Sequence, residues 1–498
     1  RTMNEQRPVK GGATPPLDLG RRAVRGFSWM FLVSVWGKVQ GTLVQVALAW
    51  FLSKEDFGQI GLAYTVTAFA NVVVNPGLSS VLVQRARNLR YWSTPAFWMS
   101  LTCGILGAAL MLAAAPIGAQ MYGAPNLVGL VTVLAIAAPI GSLGMLPNAL
   151  LTGQLKFKFL ALLTLGAGIL TGLLTVLLAA LDFGAYSFVL PRPIVNTAQT
   201  LAAWIAARPK VRMKPQFRRW KYLVGNAGWM LVYLVCWTAI MQGDYIVLGY
   251  LFEPALVGTY FFGFNLAMQG ARFIGGNVHT VLYPSLVALG TNRLRQAQVV
   301  LETSRNLALT VGCVSLLQAV LAEPVLHLVF GHRWDDAIPI VQLLSIGVVF
   351  ESLSSPGCLL LMARGLFKSF ALIYVLALSV FLPTVLLGAR LGEGVGVSAA
   401  VACYYFLFWT PTYCTVMRSA GVPLRITTFM FLSVIVSGVA SATLGFGLTS
   451  LLPSSESEIW LRTATLLLVT PAAYYAGMWL LQPQACRAAL ARVRQFRT

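Results

Sequence analysis

Charge and hydropathy alternate along this chain in step. Long apolar runs are separated by short connectors, and every second connector carries Lys and Arg while most of the ones between carry acids. A helix needs about 20 apolar residues to cross a hydrocarbon core of about 30 Å. Fourteen segments qualify, at 25–52, 57–83, 93–121, 126–152, 157–181, 183–207, 220–251, 256–289, 303–329, 336–363, 367–389, 394–417, 424–451 and 458–482. Cytoplasmic connectors hold the excess of Lys and Arg, so one missed or invented span would scramble the alternation.

The alternation holds. Connectors after even-numbered spans, the two tails and Arg305 carry 29 of the 36 basic residues, against three acids, Glu5, Asp18 and Glu302. The other side carries nine acids, Glu55, Asp56, Asp182, Glu253, Asp335, Asp336, Glu393, Glu456 and Glu458, against Lys54, Arg333 and Arg390. Fourteen spans with both termini in the cytoplasm satisfy this pattern, and the shortest joints fall at Asp182 and near Gly392. No short apolar stretch with a small-residue cleavage site follows the polar start, so no removable leader is expected.

Composition agrees: 57% of residues are hydrophobic and 10% charged, more apolar surface than a compact soluble domain buries. A net charge of +21 would suit nucleic acid, yet the bases cluster in connectors and read as orientation signals. Seven Cys occur without paired or metal-like spacing, so reduced, buried thiols are expected. The outer connectors are too short to fold into a catalytic domain, which confines function to the helices.

The resulting organisation is a cytoplasmic tail at 1–24, an N-terminal bundle of spans one to six at 25–207, and a basic linker at 208–221. A C-terminal bundle of spans seven to twelve follows at 222–417, then spans thirteen and fourteen at 418–482 and a basic cytoplasmic tail at 483–498. Transporters are often built from repeated bundles. At an offset of 200 residues Trp29 and Met30 fall on Trp229 and Met230, Leu48 on Leu248, Gly58 on Gly258, and Val81 and Leu82 on Val281 and Leu282. The identities barely exceed chance for so apolar a chain, and the matched hairpin lengths carry the expectation of a repeat.

The first hairpin reads Leu52-Ser53-Lys54-Glu55-Asp56-Phe57-Gly58 and continues as Pro76-Gly77-Leu78-Ser79-Ser80-Val81-Leu82-Val83-Gln84-Arg85. Ser53 with Asp56 makes a capping box for the second helix. Further on stand Gly331, Trp334 and Ala337, then Ala363-Arg364-Gly365-Leu366-Phe367-Lys368, and Gly394-Val395-Gly396-Val397-Ser398-Ala399-Ala400. In these motifs the chain resembles the polysaccharide-transporter (Wzx-type) flippases of the multidrug/oligosaccharidyl-lipid/polysaccharide exporter superfamily. The resemblance implies an all-α fold of two pseudo-two-fold-related six-helix bundles around a central cavity lined by spans one, two, seven and eight, plus two C-terminal helices. It also implies alternating access that carries an undecaprenyl-pyrophosphate-linked oligosaccharide to the outer leaflet of a bacterial inner membrane. Partners implied are that lipid, the surrounding membrane lipids, and a polysaccharide polymerase with its co-polymerase, with no nucleic acid and no covalently bound cofactor.

Independently of family, Lys38, Arg192, Arg272, Asp244 and Glu351 require explanation, because an ionised group at mid-bilayer costs about 3 kcal/mol on insertion scales. Asn265, Gln269, Arg272, Gly276 and His279 share one helical stripe on span eight. Ser34, Lys38, Gly41 and Gln45 share one on span one, and Tyr64, Ala68, Asn71, Asn75 and Ser79 one on span two. Lys38 and Arg272, with the Asn and Gln donors, suit an anion such as pyrophosphate, which Arg grips bidentately. An internal salt bridge to Asp244 or Glu351 is the structural alternative. Arg192, between Pro191 and Pro193, balances substrate binding against satisfying carbonyls freed by proline.

Asp244 and Glu351 are candidates for coupling to a proton or sodium gradient or to the membrane potential, or are counter-charges. His279 reads as a hydrogen-bonder in the cavity. Glu323 and His327 need no role, and Asp335 and Asp336 cap span ten or, with Trp334, touch sugar. A multidrug or metabolite exporter of the same superfamily would carry acids in its cavity. A membrane polysaccharide polymerase or ligase would need a large catalytic outer loop, so an enzyme is not expected.

Overall fold

The computed structural model describes residues 16–74, 89–154, 156–209, 228–290, 292–450 and 459–495, with 211, 212, 215, 217 and 220 of the linker. Asn75, Ser79 and the motif at 76–85 lie outside the described residues. The chain is an all-α polytopic membrane protein. Large apolar side chains such as Leu391, Leu468, Leu480 and Ile205 face outward, where only lipid would make them stable.

By length and composition alone, eleven described helices suit a membrane crossing. The structure supplies the remaining three of the fourteen. The continuous helical run Phe367–Ser419 holds two crossings, turning at Gly392 and Glu393, where Glu393 has φ 50°. Span six is broken into Tyr186–Val189 and Pro191–Ala207 because proline lacks the amide donor that would join them. Span eight, Pro254–Ala288, is one unbroken helix whose polar stripe lowers its hydropathy. The joint read at Asp182 is a tight turn, with positive φ at Asp182 and Gly184.

Span one runs back to Pro16, inside the stretch read from the sequence as a tail, and ends at Phe51. Its hairpin to span two, Lys54–Val74, is closed by the expected capping box. Ser53 N and Oγ donate to Asp56 Oδ2 at 3.0 and 2.7 Å, and Asp56 N donates to Ser53 Oγ at 3.1 Å. Asp56 Oδ1 also accepts from Ala185 N at 3.1 Å, which fixes the hairpin to the turn between spans five and six. The tail after span fourteen is itself helical over Pro483–Gln495.

Helix packing shows the repeat more clearly than the identities do. In the first half span one packs on five, three on four, and four on six; in the second, seven packs on eleven, nine on ten, and ten on twelve. Span three is Leu89–Met121, five Phe157–Ala180, seven Gly228–Leu251, nine Arg293–Phe330 and ten Ile338–Ala363. Span twelve contains a π-turn, Tyr405–Trp409, that widens the helix beside the buried charges. Spans thirteen and fourteen, Leu424–Ser450 and Ile459–Leu481, pair with each other and lean on span nine. There Tyr474 Oη donates to the Ala308 carbonyl at 2.7 Å.

Candidate functional site

The two bundles meet at one end of the molecule. Spans two and eight cross there through a reciprocal pair of glycines. A β-carbon added to Gly58 would lie 1.8 Å from the Pro254 carbonyl oxygen, and one added to Gly258 would lie 1.7 Å from that of Lys54. Both residues and both carbonyls are related by the 200-residue offset, so the contact is self-complementary in the manner of a two-fold interface. Only glycine permits backbones to approach so closely.

The turn between spans nine and ten locks this seal. Arg333 donates to the Trp50 carbonyl at 2.7 Å and the Leu52 carbonyl at 2.6 Å. Trp334 is fully buried, stacks on Phe262 at 4.1 Å and meets Phe57 edge-on at 5.4 Å. Lys54 pairs with Asp336 at 2.6 Å. That pair is exposed, and exposed pairs contribute at most about 1 kcal/mol, whereas Arg333 satisfies two carbonyls at the tip of span one. Arg333→Ala should therefore speed labelling of a cysteine placed at Leu52, while Asp336→Asn should leave it within about twofold. Equal rates in the two variants would remove Arg333 from the seal.

Contact between spans one and eight is sparse, and away from the seal Trp36, Lys38 and Val39 on span one are exposed. A cavity of about 450 Å³ lies between spans one, five, six and eight, lined by Gln40, Gln45, Thr171, Arg192, Asn265 and Gln269 among others. Its polar wall is cross-braced. Gln269 Nε2 donates to Gln45 Oε1 at 3.1 Å, Thr42 Oγ1 to Gln269 Oε1 at 2.5 Å, and Gln45 Nε2 to the Phe262 carbonyl at 3.3 Å. Asn265 donates to the Phe261 carbonyl at 2.8 Å. Among the described residues Arg192 is the one charged group in the lining, with its guanidinium carbon 5.4 Å from the centre of the Tyr64 ring, an orientation that a cation and an aromatic face favour. An unneutralised cation among amide donors attracts anions.

The C-terminal bundle holds the other charges. Arg272 leans towards the N-terminus of its own helix, as helical side chains do. Its Nη2 reaches Met241 Sδ at 3.3 Å, and its guanidinium carbon lies 5.2 Å from the Phe264 ring centre. Its field reaches both Asp244 and Glu351. Asp244 is buried and accepts from Tyr260 Oη at 2.8 Å and Tyr245 N at 2.9 Å. Glu351 is half-buried, with no side-chain hydrogen bond among the described residues.

The stripe on span eight thus divides. Asn265 and Gln269 face the cavity, Arg272 turns to span seven, and His279 Nε2 meets Ser355 Oγ of span ten at 2.9 Å. Gln45 and Arg192 join the cavity wall, while Lys38 and Asn71 are exposed outside that lining. Sequence reasoning attached no role to His327, yet the structure gathers His327, His332 and Asp335. The spacing His-x4-His-x2-Asp was the available signal.

A family model described as "Polysaccharide biosynthesis protein" matches residues 47–339. The succinoglycan biosynthesis transport protein ExoT of Rhizobium meliloti is 24% identical over 300 residues, 60% of each chain. The lipopolysaccharide biosynthesis protein WzxC of Escherichia coli is 21% identical over 398 residues, 77% of this chain and 78% of that one. The teichuronic acid biosynthesis protein TuaB of Bacillus subtilis is 24% identical over 309 residues, so the chain spans about three-fifths of the length of ExoT and TuaB. Among solved structures, the lipid II flippase MurJ in an inward closed conformation superposes with a TM-score of 0.71 at 12% identity, covering 91% of this chain and 99% of that one. An inward-facing multidrug resistance MATE transporter gives 0.62 at 14% identity, covering 78% and 98%. At these identities the structures establish a common fold.

Proposed function

The chain belongs to the polysaccharide biosynthesis protein family, and from that premise we propose that it is a flippase for an undecaprenyl-pyrophosphate-linked oligosaccharide, working by alternating access in a bacterial inner membrane. The observation that carries this reading is the cavity where span eight meets the N-terminal bundle: close to the seal at Gly58 and Gly258, lined by apolar side chains with a band of Gln, Asn and Thr, and basic through Arg192, with no acid in its lining among the described residues. The positive-inside rule puts the termini, and the end where the bundles part, in the cytoplasm. A pyrophosphate headgroup would enter there and meet Arg192 and the Gln and Asn amides. The sealed face carries a broader groove lined by Glu253, Asp335, Asp336 and Glu393 against Lys54, a field that favours release of an anion over its return. The polymerase and co-polymerase that would receive the product are part of this proposal.

A multidrug exporter shares the fold, but its cationic cargo would find Arg192 repulsive. Competition in proteoliposomes separates the two. The same short oligosaccharide is offered on a pyrophosphate lipid and on a neutral lipid glycoside, and the neutral cargo should cross at least about tenfold more slowly, a charge-assisted hydrogen bond contributing about 1.5–3 kcal/mol. Equal rates would remove the anionic cargo.

For coupling, Glu351 is the acid free to exchange an ion, whereas Asp244 is held by Tyr260 and the backbone. Glu351→Gln should abolish the response of transport to an imposed proton or sodium gradient. Asp244→Asn should keep that response and lower stability by about 1–3 kcal/mol, since Tyr260 and the Tyr245 amide lose the carboxyl group that accepts from both. The opposite assignment of effects would exchange the two roles.

A further inference from the structure

We propose that His327, His332 and Asp335 form a transition-metal site on the sealed face, suited to Zn²⁺, and that a bound ion braces the turn closing the two bundles. The chain has three His in all, and two of them converge here. His327 sits in the last turn of span nine. Gly331, with φ 61°, reverses the chain so that the His332 ring returns to within 4.9 Å of the His327 ring, centre to centre. Asp335 opens the short 3₁₀ turn before span ten and lies between the two imidazoles, with Oδ1 3.1 Å from His327 Nε2 and Oδ2 2.9 Å from His332 Nδ1.

One donor atom from each residue can be chosen so that all three lie within 4.8 Å of one another. Zn²⁺ binds imidazole nitrogen and carboxylate oxygen at about 2.0–2.2 Å. Small rotations of His332 and Asp335, whose side chains are 76% and 44% exposed, would close the set around one ion and leave further positions for water. Two imidazoles select Zn²⁺ and its neighbours Ni²⁺ and Cu²⁺ over the oxygen-seeking Ca²⁺ and Mg²⁺. The exposure also gives an ion a path from the sealed face.

The site's consequence follows from what lies between its ligands. Arg333 and Trp334, the two side chains that hold span one and Phe57 in the seal, stand between His332 and Asp335 in the chain. An ion linking His327 to His332 and Asp335 would tie that turn to the end of span nine and resist its opening.

The test uses untagged full-length protein in detergent, titrated calorimetrically with ZnCl₂ and then with MgCl₂. Wild type should take up one Zn²⁺ per chain and no Mg²⁺. His332→Ala, at a largely exposed position where the fold is not at stake, should weaken Zn²⁺ binding at least about tenfold, as loss of even an outer-shell group does. His327→Ala should do the same, with circular dichroism verifying that each variant stays helical. Zn²⁺ should slow hydrogen exchange over 331–337 in wild type and leave it unchanged in His332→Ala. Wild-type uptake equal to that of His332→Ala, or Mg²⁺ binding as tightly as Zn²⁺, would overturn the site. Unchanged exchange with Zn²⁺ bound would overturn the brace.

Discussion

Arg192→Ala is expected to slow translocation of a lipid-pyrophosphate oligosaccharide by about 10- to 100-fold while leaving the protein's stability close to wild type. The size follows from removing a charge-assisted bond of about 1.5–3 kcal/mol from the cargo. The unchanged stability follows from the lining of the cavity, where among the described residues Arg192 has no acid to leave unpaired. Arg192→Lys should recover only part of the rate, because an ammonium cannot grip two oxygens in one plane. Arg272 makes an instructive contrast. Its field reaches Asp244 and Glu351, so Arg272→Ala should lower both transport and stability, and adding Glu351→Gln should return some of the stability. Proteoliposome flipping rates and thermal unfolding of the same preparations measure both parts. Wild-type transport by Arg192→Ala would remove it from the cargo's path.

The second large effect belongs to the seal. Alanine at Gly58 or Gly258 would set a β-carbon inside the van der Waals radius of a backbone carbonyl oxygen. Neither backbone can retreat without separating the bundles, so we expect a cost of at least about 3 kcal/mol, at the upper end of overpacking penalties. Either variant should leave the sealed face accessible to a membrane-impermeant thiol reagent aimed at a cysteine placed nearby. The two substitutions should act alike because the contact is reciprocal. A Gly58→Ala protein with wild-type protection and transport would contradict the close approach.

How much of this was legible in the sequence depends on what each feature requires. The spans were legible because crossing hydrocarbon dictates length and apolarity locally, and the charge alternation then counted them, including the joints at Asp182 and Glu393 that length alone misses. The capping box at Ser53 and Asp56 was equally local. Gly58 and Gly258 surfaced as a matched pair, yet their role needed the two hairpins to be docked. The polar stripe on span eight was legible as one face. Helical period, however, gives a face and not its neighbour, so the division of that face between the cavity, span seven and span ten was invisible. Lys38 and Arg192 were separated only by the third dimension: both are cations in apolar runs, and packing places Arg192 in the cavity wall and leaves Lys38 outside it. His327 looked idle because its ligand-type partners lie across a glycine turn whose geometry no periodicity reports.

On the proposed function, this chain moves a lipid-linked oligosaccharide between leaflets through the space its bundles enclose. The most direct test follows a fluorescent lipid-pyrophosphate oligosaccharide in proteoliposomes containing the purified chain, with a membrane-impermeant quencher outside. Lipid from the inner leaflet should become quenchable far faster than in protein-free vesicles, and Gly58→Leu should abolish the gain. A time course indistinguishable from protein-free vesicles would contradict the account.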